Sequence, residues 1–481
     1  MSCSWIGAVK TAWKTHRLPG IAVGIWNGGD EQYFVFGRQG LFGSPVNPET
    51  VYAIASVSKS FIAASAWILA EEKRLDMEVP VSAYLPGFSL YTEEMTREIL
   101  VKDLFSHYTG LPRHDISVFT GQNESLEETV RRVRYLQPAW PVHTHFGYSN
   151  HMFAVASLLV EKISGIPWGE FVSERIFKPL GMKRSYTKTL VFRDVDDNYA
   201  RPMANVRGFN VPVKPMNTGA YGCSGSLSAS VRDLLAWTVT NLHRGVSPGG
   251  ARLFSEAAAG ELHGRKTPIR SGESGSYTPE EVTGQFYGMG WFVEKFRGET
   301  LVNHGGTIPG YKSQIGFLPE KDFAFAILTN SSNTSACTAL QYHLCDMRLG
   351  HPEFDWNRRF LEVQKKMRKE MESNYRRHLT ALEAPGDPLG CGGRYRNGAY
   401  GEFTVLEKGK KLRMRVEAVP RVYSLAPAAG GYTLLLPSER LAFPCRFERD
   451  DEKVKPPKAA RLLVKMDPFL NDYIPFDRVG D

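Results

Sequence analysis

Near the start of the chain, apolar residues form two runs, 21–26 and 33–36, on either side of Asn27-Gly28-Gly29-Asp30. Extended apolar runs around a turn whose central residues favour positive φ predict a β-hairpin, so a sheet is expected to begin here. Past Ser56 the pattern changes. Phe61, Ile62, Ala64, Trp67, Ile68 and Leu69 recur at helical spacing, with no Gly or Pro before Glu72. That predicts a helix apolar on most sides and therefore buried.

Helical patterns dominate the middle of the chain, as in 126–136, 152–163 and 230–242. Strand patterns return at 287–296, 300–303, 313–317 and 323–328, where Pro319-Glu320-Lys321-Asp322 joins the last two. The order is strands, helices, strands. Pairing the early hairpin with the late strands gives one antiparallel sheet flanked by helices, with a helical subdomain inserted over about residues 80–285 and a cleft between the layers. The following stretch, 355–382, is strongly charged, with Phe360, Val363, Met367, Met371 and Tyr375 at helical spacing. It reads as a connecting helix with a narrow apolar stripe and a solvated basic face. Ala384-Pro385-Gly386-Asp387-Pro388 then breaks the chain. Short strand patterns at 404–406, 412–416, 432–436, 441–447 and 460–466 predict a separate small all-β domain. The expected units are 1–350, 351–384 and 385–481.

Composition narrows the function classes. At 481 residues with 42% hydrophobic and 23% charged positions, the chain can bury sizeable cores without staples. Its six cysteines lack paired spacing and read as reduced and mostly buried. The first Lys comes at position 10, and no run approaches the ~20 apolar residues of a membrane span, so a cytoplasmic protein is expected. The sequons at Asn123, Asn330 and Asn333 accordingly read as chance matches. Of the net charge of +8, much is matched by Arg358, Arg359, Lys365, Lys366, Arg368, Lys369, Arg376 and Arg377 in the connecting helix. Neither nucleic acid nor membrane is expected as a partner.

Three motifs bear on chemistry. Ser56-Val57-Ser58-Lys59 puts a hydroxyl and an amine one helical turn apart on one face, at the N-terminus of a buried helix whose free N–H groups suit an oxyanion. About two Ser-x-x-Lys matches arise by chance in such a length, and Ser185-Tyr186-Thr187-Lys188 is a second, without a following buried helix. Tyr148-Ser149-Asn150 offers a phenol that can relay a proton near cations and an amide that can hold Lys59 or a substrate carbonyl; its decoy is Tyr395-Arg396-Asn397. His304-Gly305-Gly306, after the strand pattern 301–303 and before Thr307, lets a substrate backbone approach, and an N–H of Gly306 or Thr307 is placed to join that of Ser56 in an oxyanion hole. His145-Phe146-Gly147 and His243-Arg244-Gly245 share the His-x-Gly pattern without ending a strand.

Other residues read better as structure. His143, His145, His107, His114 and Asp115 lack the spacing of a metal site, so no metal or cofactor is expected. Gly222 and Gly225 read as a tight turn near the cleft, and Cys223 as a buried small residue. Tyr311 and Trp291 stand equally between pocket wall and core.

Taken together, the ordered motifs make the chain resemble the serine β-lactamase and penicillin-binding-protein superfamily, in its class C β-lactamase-related branch. The segments 104–112 (LFSHYTGLP), 146–150 (FGYSN), 163–165 and 177–182 (FKPLGM) strengthen the likeness, which covers about residues 8–335. The resemblance implies an α/β (α+β) β-lactamase/transpeptidase-like fold, and the final β domain resembles the lipocalin-like domain of some members. It further implies that Ser56 is the acylated nucleophile, that Lys59 assists its deprotonation and that Tyr148 is general base and later acid. Asn150, His304, Gly305, Gly306 and Thr307 would border the substrate. Where the class C enzymes carry Lys-Thr-Gly this chain has His-Gly-Gly, which removes a cation and argues against antibiotic hydrolysis as the main activity.

The expected substrate is a small-molecule ester, amide or peptide, selected by cleft-lining loops such as 113–124 and 202–220. Oligomeric state is left open. So is the choice between a hydrolase, a natural-product acyltransferase using the same acyl-enzyme, and a silent scaffold. The scaffold reading expects loss of Ser56, Lys59 or Tyr148, and all three are retained.

Overall fold

The computed structural model describes residues 4–120, 125–188, 196–206, 208–214, 216–380, 390–409, 411–416, 419–428, 431–436, 441–449 and 458–480. Strands β1 (Gly20–Asn27) and β2 (Asp30–Gly37) form the expected hairpin, with Gly28 and Gly29 at its tip at φ +62° and +99°. Strands β3 (Thr267–Pro268), β4 (Val282–Tyr287), β5 (Phe292–Phe296), β6 (Glu299–Ile308), β7 (Tyr311–Leu318) and β8 (Phe323–Thr329) complete an antiparallel sheet ordered β2-β1-β8-β7-β6-β5-β4-β3. The first hairpin therefore pairs with the last strand, Ile21 opposite Thr329, and the helical layer is an excursion between them.

Helix α1 (Trp5–Thr15) precedes the sheet, α2 (Ser58–Glu71), α3 (Asn150–Ser164) and α4 (Val231–Leu242) belong to the excursion, and α5 (Ala336–Leu349) and α6 (Trp356–Thr380) follow β8. The two-residue period of β8 sorts its side chains between the layers. Phe323, Phe325 and Ile327 pack in a core shared with α1 and α5, while Ala324, Ala326 and Leu328 join the core of the helical layer. Full burial of each large residue contributes about 1.5–3 kcal/mol. Gly24 lets α4 close on the sheet, because a Cβ there would meet Leu235 at 3.2 Å.

Two strand expectations change. The pattern over 287–296 is two strands, split by a tight turn in which Gly288 N donates to Trp291 O at 2.8 Å and Gly290 takes φ +78°. Strand β6 does not stop at Asn303 but continues to Ile308, because Gly305 and Gly306 keep pairing with Gln314 and Ser313. Trp291 and Tyr311 both belong to the core.

After α6 comes a closed barrel of β9 (Gly393–Asn397), β10 (Gly401–Lys408), β11 (Lys411–Val416), β12 (Val419–Ala428), β13 (Gly431–Leu436), β14 (Leu441–Arg449), β15 (Ala459–Val464) and β16 (Ile474–Gly480). In β11, Leu412, Met414 and Val416 face in while Lys411, Arg413 and Arg415 face out. Pairing of β16 with β9 closes the ring and leaves no strand edge open. The chain is thus a β-lactamase/transpeptidase-like antiparallel sheet flanked by helices, with a lipocalin-like all-β domain beyond it.

On α6, Phe360 and Tyr375 are buried whereas Met367 and Met371 are exposed. Its start is anchored by Asp346 of α5, which accepts from Trp356 Nε1 at 2.7 Å and from Arg297 Nε at 2.6 Å. Cys223, Cys337, Cys345, Cys391 and Cys445 are free and buried. Asn330 is wholly buried and its amide donates to the carbonyls of Gln39 and Arg201, so it offers no glycan acceptor. Among the described residues no helix is long and apolar enough to cross a membrane. Cys3, Asn123 and the 384–388 breaker lie outside the described residues.

Candidate active site

The chain leaves the short strand Tyr52–Ala53, turns at Ala55 with φ +47°, and runs through a 3-10 turn, Ala55–Val57, into α2. A left-handed φ at a residue with a Cβ costs about 1–2 kcal/mol. Neighbours fix it: Ser58 Oγ donates to Ala55 O at 2.6 Å and accepts from Leu227 N at 3.1 Å, and Ser313 Oγ donates to Ile54 O at 2.7 Å. The elbow leaves Ser56 half-buried just ahead of the helix.

Lys59 follows one turn later with no exposed surface. Its Nζ donates to Asn150 Oδ1 at 2.7 Å and to Ser224 O at 2.7 Å, and its remaining hydrogen-bonding position faces Ser56 Oγ at 3.3 Å. Burial holds its pKa well below 10.5, and the charge of Arg113 pushes the same way, against smaller opposing effects of Cys223 and Asp115. Tyr148 lies beside it, the ring centroid 4.8 Å from Nζ and the hydroxyl hydrogen-bonded to Ser56. Burial pushes the phenol up to about 12, while the Ser56 bond and Arg113 pull it down. At neutral pH Tyr148 therefore rests as the phenol.

His107, in the left-handed conformation at φ +58°, supports this group from below. Its Nδ1 accepts from Ser149 N at 3.1 Å and its ring lies 4.3 Å from that of Tyr148. Burial holds it neutral, its pKa well below 6.5.

Strand β6 forms the opposite wall. Gly306 is the contact with the elbow: a Cβ there would stand 2.2 Å from Ile54 O and 2.9 Å from Ser56 N. Any side chain would displace the serine backbone. Strand β5 pairs with residues 299–303 only, so from His304 onward β6 has no strand beside it on that side. Gly305 and exposed Thr307 continue along this edge.

His304, expected to border the substrate, turns its ring inward. Its ring is buried among Tyr148, Tyr287 and Phe292, with Nε2 accepting from Tyr287 Oη at 2.9 Å and Nδ1 donating to Gly305 O at 2.7 Å. Burial, with Lys59 nearby, lowers its pKa to about 3. With both nitrogens engaged by the protein, the side chain supports the wall, and the stretch offers a cleft its backbone instead.

The decoy motifs are structural. Ser185 sits in a two-residue strand and donates to Asp233 at 2.8 Å, and Tyr395 Oη donates to Cys391 O at 2.7 Å. His143 bonds Asp103 at 2.8 Å while His145 stacks on Trp140. Among the described residues no group of three or more His, Cys, Asp or Glu side chains is placed to hold a metal. The Cys223 thiol donates to Ser58 O at 3.1 Å, and burial raises its pKa.

Three site features escaped the sequence. Ser224 contributes only its carbonyl, which no side-chain pattern reports, and its turn requires Gly222 at φ +52°, where a Cβ would strike Ser157 at 2.6 Å. His107 and Arg113 both lie in or beside the segment 104–112, but nothing in that pattern tells where they point. The Arg113 guanidinium carbon is 4.7 Å from the Tyr148 ring centroid, and its Nε donates to Asp115 at 2.7 Å.

Comparison with known proteins agrees with this architecture. The Beta-lactamase family model matches residues 5–348. An unguisins hydrolase of Aspergillus campestris is 28% identical over 423 residues, covering 83% of this chain and 76% of the relative. Penicillin-binding protein 4 of Amycolatopsis lactamdurans is 25% identical over 66% of this chain and 81% of its own length. The octameric penicillin-binding protein homologue from Pyrococcus abyssi shares the fold over 98% of both chains, with a TM-score of 0.62 at 22% identity. The D-amino acid amidase from Ochrobactrum anthropi does so over 71% of this chain and 97% of that one, with a TM-score of 0.58 at 18% identity.

Proposed function

The chain belongs to the β-lactamase family, and from that premise we propose that it is a serine hydrolase cleaving an amide or ester through an acyl-enzyme on Ser56. The observation that carries this reading is the convergence of Lys59 and Tyr148 on the Ser56 hydroxyl, with Lys59 Nζ 3.3 Å from Oγ and held by Asn150 Oδ1.

Burial favours the free amine of Lys59 and the neutral phenol of Tyr148 in the resting site. The proton of Ser56 therefore passes to the Lys59 amine, directly or through the Tyr148 hydroxyl, as Oγ bonds to the carbonyl carbon. The oxyanion is met by the N–H of Ser56 together with that of Gly306 or Thr307. When the C–N or C–O bond breaks, Tyr148 hands the proton to the leaving group, and water then releases the acid and regenerates Ser56. An extended substrate aligns along the edge of β6 beyond Asn303, next to Gly305 and Thr307. The description of the Aspergillus relative as a hydrolase favours water over another acceptor in the second half-reaction.

The test is intact-mass analysis after treatment with a fluorophosphonate, beside turnover of p-nitrophenyl esters and D-amino-acid amides. The native chain gains one adduct at Ser56 and turns over an ester or amide, while Ser56→Ala does neither. Retained turnover in Ser56→Ala overturns the proposal.

A further inference from the structure

Of the residues around Tyr148, Arg113 is the one whose charge the mechanism above leaves without a task. The groups facing the Tyr148 ring and hydroxyl are Lys59 from α2, His107 from the preceding loop, Tyr287 from β4, His304 from β6, and Arg113 with its partner Asp115. His107, His304 and Tyr287 are held neutral by burial. Arg113 is thus a permanent cation against the phenol, half-exposed and only partly compensated by Asp115.

Part of what holds Arg113 there lies in the other domain. Its neighbour His114 is buried and takes φ +48°, a conformation that needs outside support. Ser117 N and Oγ donate to His114 O within the catalytic domain, and the barrel supplies two further bonds. His114 N donates to Asp467 Oδ2 at 3.1 Å, and His114 Nδ1 accepts from Tyr400 Oη at 2.6 Å. The remaining nitrogen, Nε2, donates to Gln137 O at 2.9 Å, so the imidazole is neutral and fully engaged. Asp467 is itself set by a bond from Phe469 N at 3.0 Å, and the Phe469 ring packs 5.3 Å from that of Trp140.

We propose that Arg113 is a positioning residue for the Ser56 proton relay, and that the C-terminal barrel completes the active site by fixing Arg113 through His114. The proposal rests on the acyl-enzyme reading of Ser56. A cation beside Lys59 and Tyr148 disfavours the protonated form of both, so it lowers the pKa of whichever group receives the serine proton. Asp115 opposes that effect.

The experiment follows fluorophosphonate labelling of Ser56 against pH, on the full chain, for the native protein, Arg113→Lys, Arg113→Gln, Asp115→Asn and Tyr400→Phe, with thermal melting as the control for folding. Arg113→Gln should move the acidic limb of the labelling rate to higher pH by about one unit. Arg113→Lys should recover most of that displacement, because the charge is kept. Asp115→Asn should move the limb the other way, which keeps the idea testable even if Arg113→Gln does not fold. Tyr400→Phe should move it in the Arg113→Gln direction by a smaller amount.

Limbs that superimpose on the native one in the Arg113 and Asp115 variants, or rates that fall with no displacement, overturn the role of Arg113. A displaced limb in Arg113→Gln with an unmoved one in Tyr400→Phe overturns the part assigned to the barrel. Failure of the native chain to label at Ser56 instead overturns the acyl-enzyme reading itself.

Discussion

Asn150 Oδ1 stands 2.7 Å from Lys59 Nζ, joining the first turns of two helices whose partners are 91 residues apart in sequence. The amide accepts a hydrogen bond without supplying a charge, so it fixes the amine in place while leaving burial free to depress its pKa. A carboxylate at the same point would reverse that balance. In Asn150→Asp the Lys59 pKa should rise, and Ser56 labelling at pH 7 should fall about tenfold for each unit of that rise. Raising the pH should restore the rate. A pH–rate profile identical to the native one would count against a free-amine acceptor.

Gly306 and Gly305 make contrasting tests although they are neighbours. A Cβ on Gly306 would meet backbone, Ile54 O at 2.2 Å, whereas one on Gly305 would first meet the end of a side chain, Gln314 Oε1 at 2.6 Å. Gly306→Ala should cost about 1–3 kcal/mol of stability and most of the labelling rate, because the serine elbow must shift. Gly305→Ala should be the milder change in both melting temperature and rate. Equal effects would mean that the elbow yields more readily than its hydrogen bonds imply.

Buried histidines should make the protein acid-sensitive. His151 and His304 are held at about 3 and His16 at about 4, against an ordinary value of 6.5, chiefly by burial. Unfolded chains bind these protons below pH 6.5 and the folded chain does not, so stability is full above 6.5 and is lost as pH falls towards 4. Each ring contributes a slope of up to about 1.4 kcal/mol per pH unit. Asp233, raised from 3.8 to about 6 by burial, acts oppositely, its contribution being present below 3.8 and lost as pH rises through 6. Burial also lowers His107, His114 and His263 and raises Asp103 and Glu294, so six rings stand against three carboxyls, and scanning calorimetry should find the melting temperature lower at pH 5 than at pH 7.5. A flat profile would contradict the neutral state of these rings.

The anchor of α6 is separable from the chemistry. Asp346→Ala leaves Arg297 and the Trp356 indole without their shared acceptor, at a cost of about 3 kcal/mol in urea unfolding. Labelling of Ser56 in the folded fraction should keep its native pH dependence. A displaced pH profile would reveal coupling between that corner and the cleft.

These contrasts mark how far the residues could be read. Apolar runs located β1, β2, β7 and β8 and helical spacing located α2, α3 and α4, and of these β1, β7, β8 and α2 are buried on nearly every side. Three barrel strands went unread: β9 carries two arginines, β12 two prolines, and β16 a Pro and a short apolar set. In each the inward residues are too few or too interrupted to show a period. Ser56, Lys59, Tyr148 and Asn150 stand in local motifs, whereas Arg113 acts from a loop whose shape is set partly in the barrel. Such placement is a long-range property. The burial of the His304 ring is likewise set by distant neighbours and has no local pattern.

The bond between His114 and Asp467 also bears on how the protein is made. Its partners are 353 residues apart, and at about 5–20 residues per second the second emerges tens of seconds after the first. The sheet can close once β8 has been synthesised, but the segment carrying Arg113 then waits, unclamped, for the barrel. Nascent chains should therefore acquire their thermal stability before they acquire full reactivity at Ser56, with translation itself timing the onset of activity.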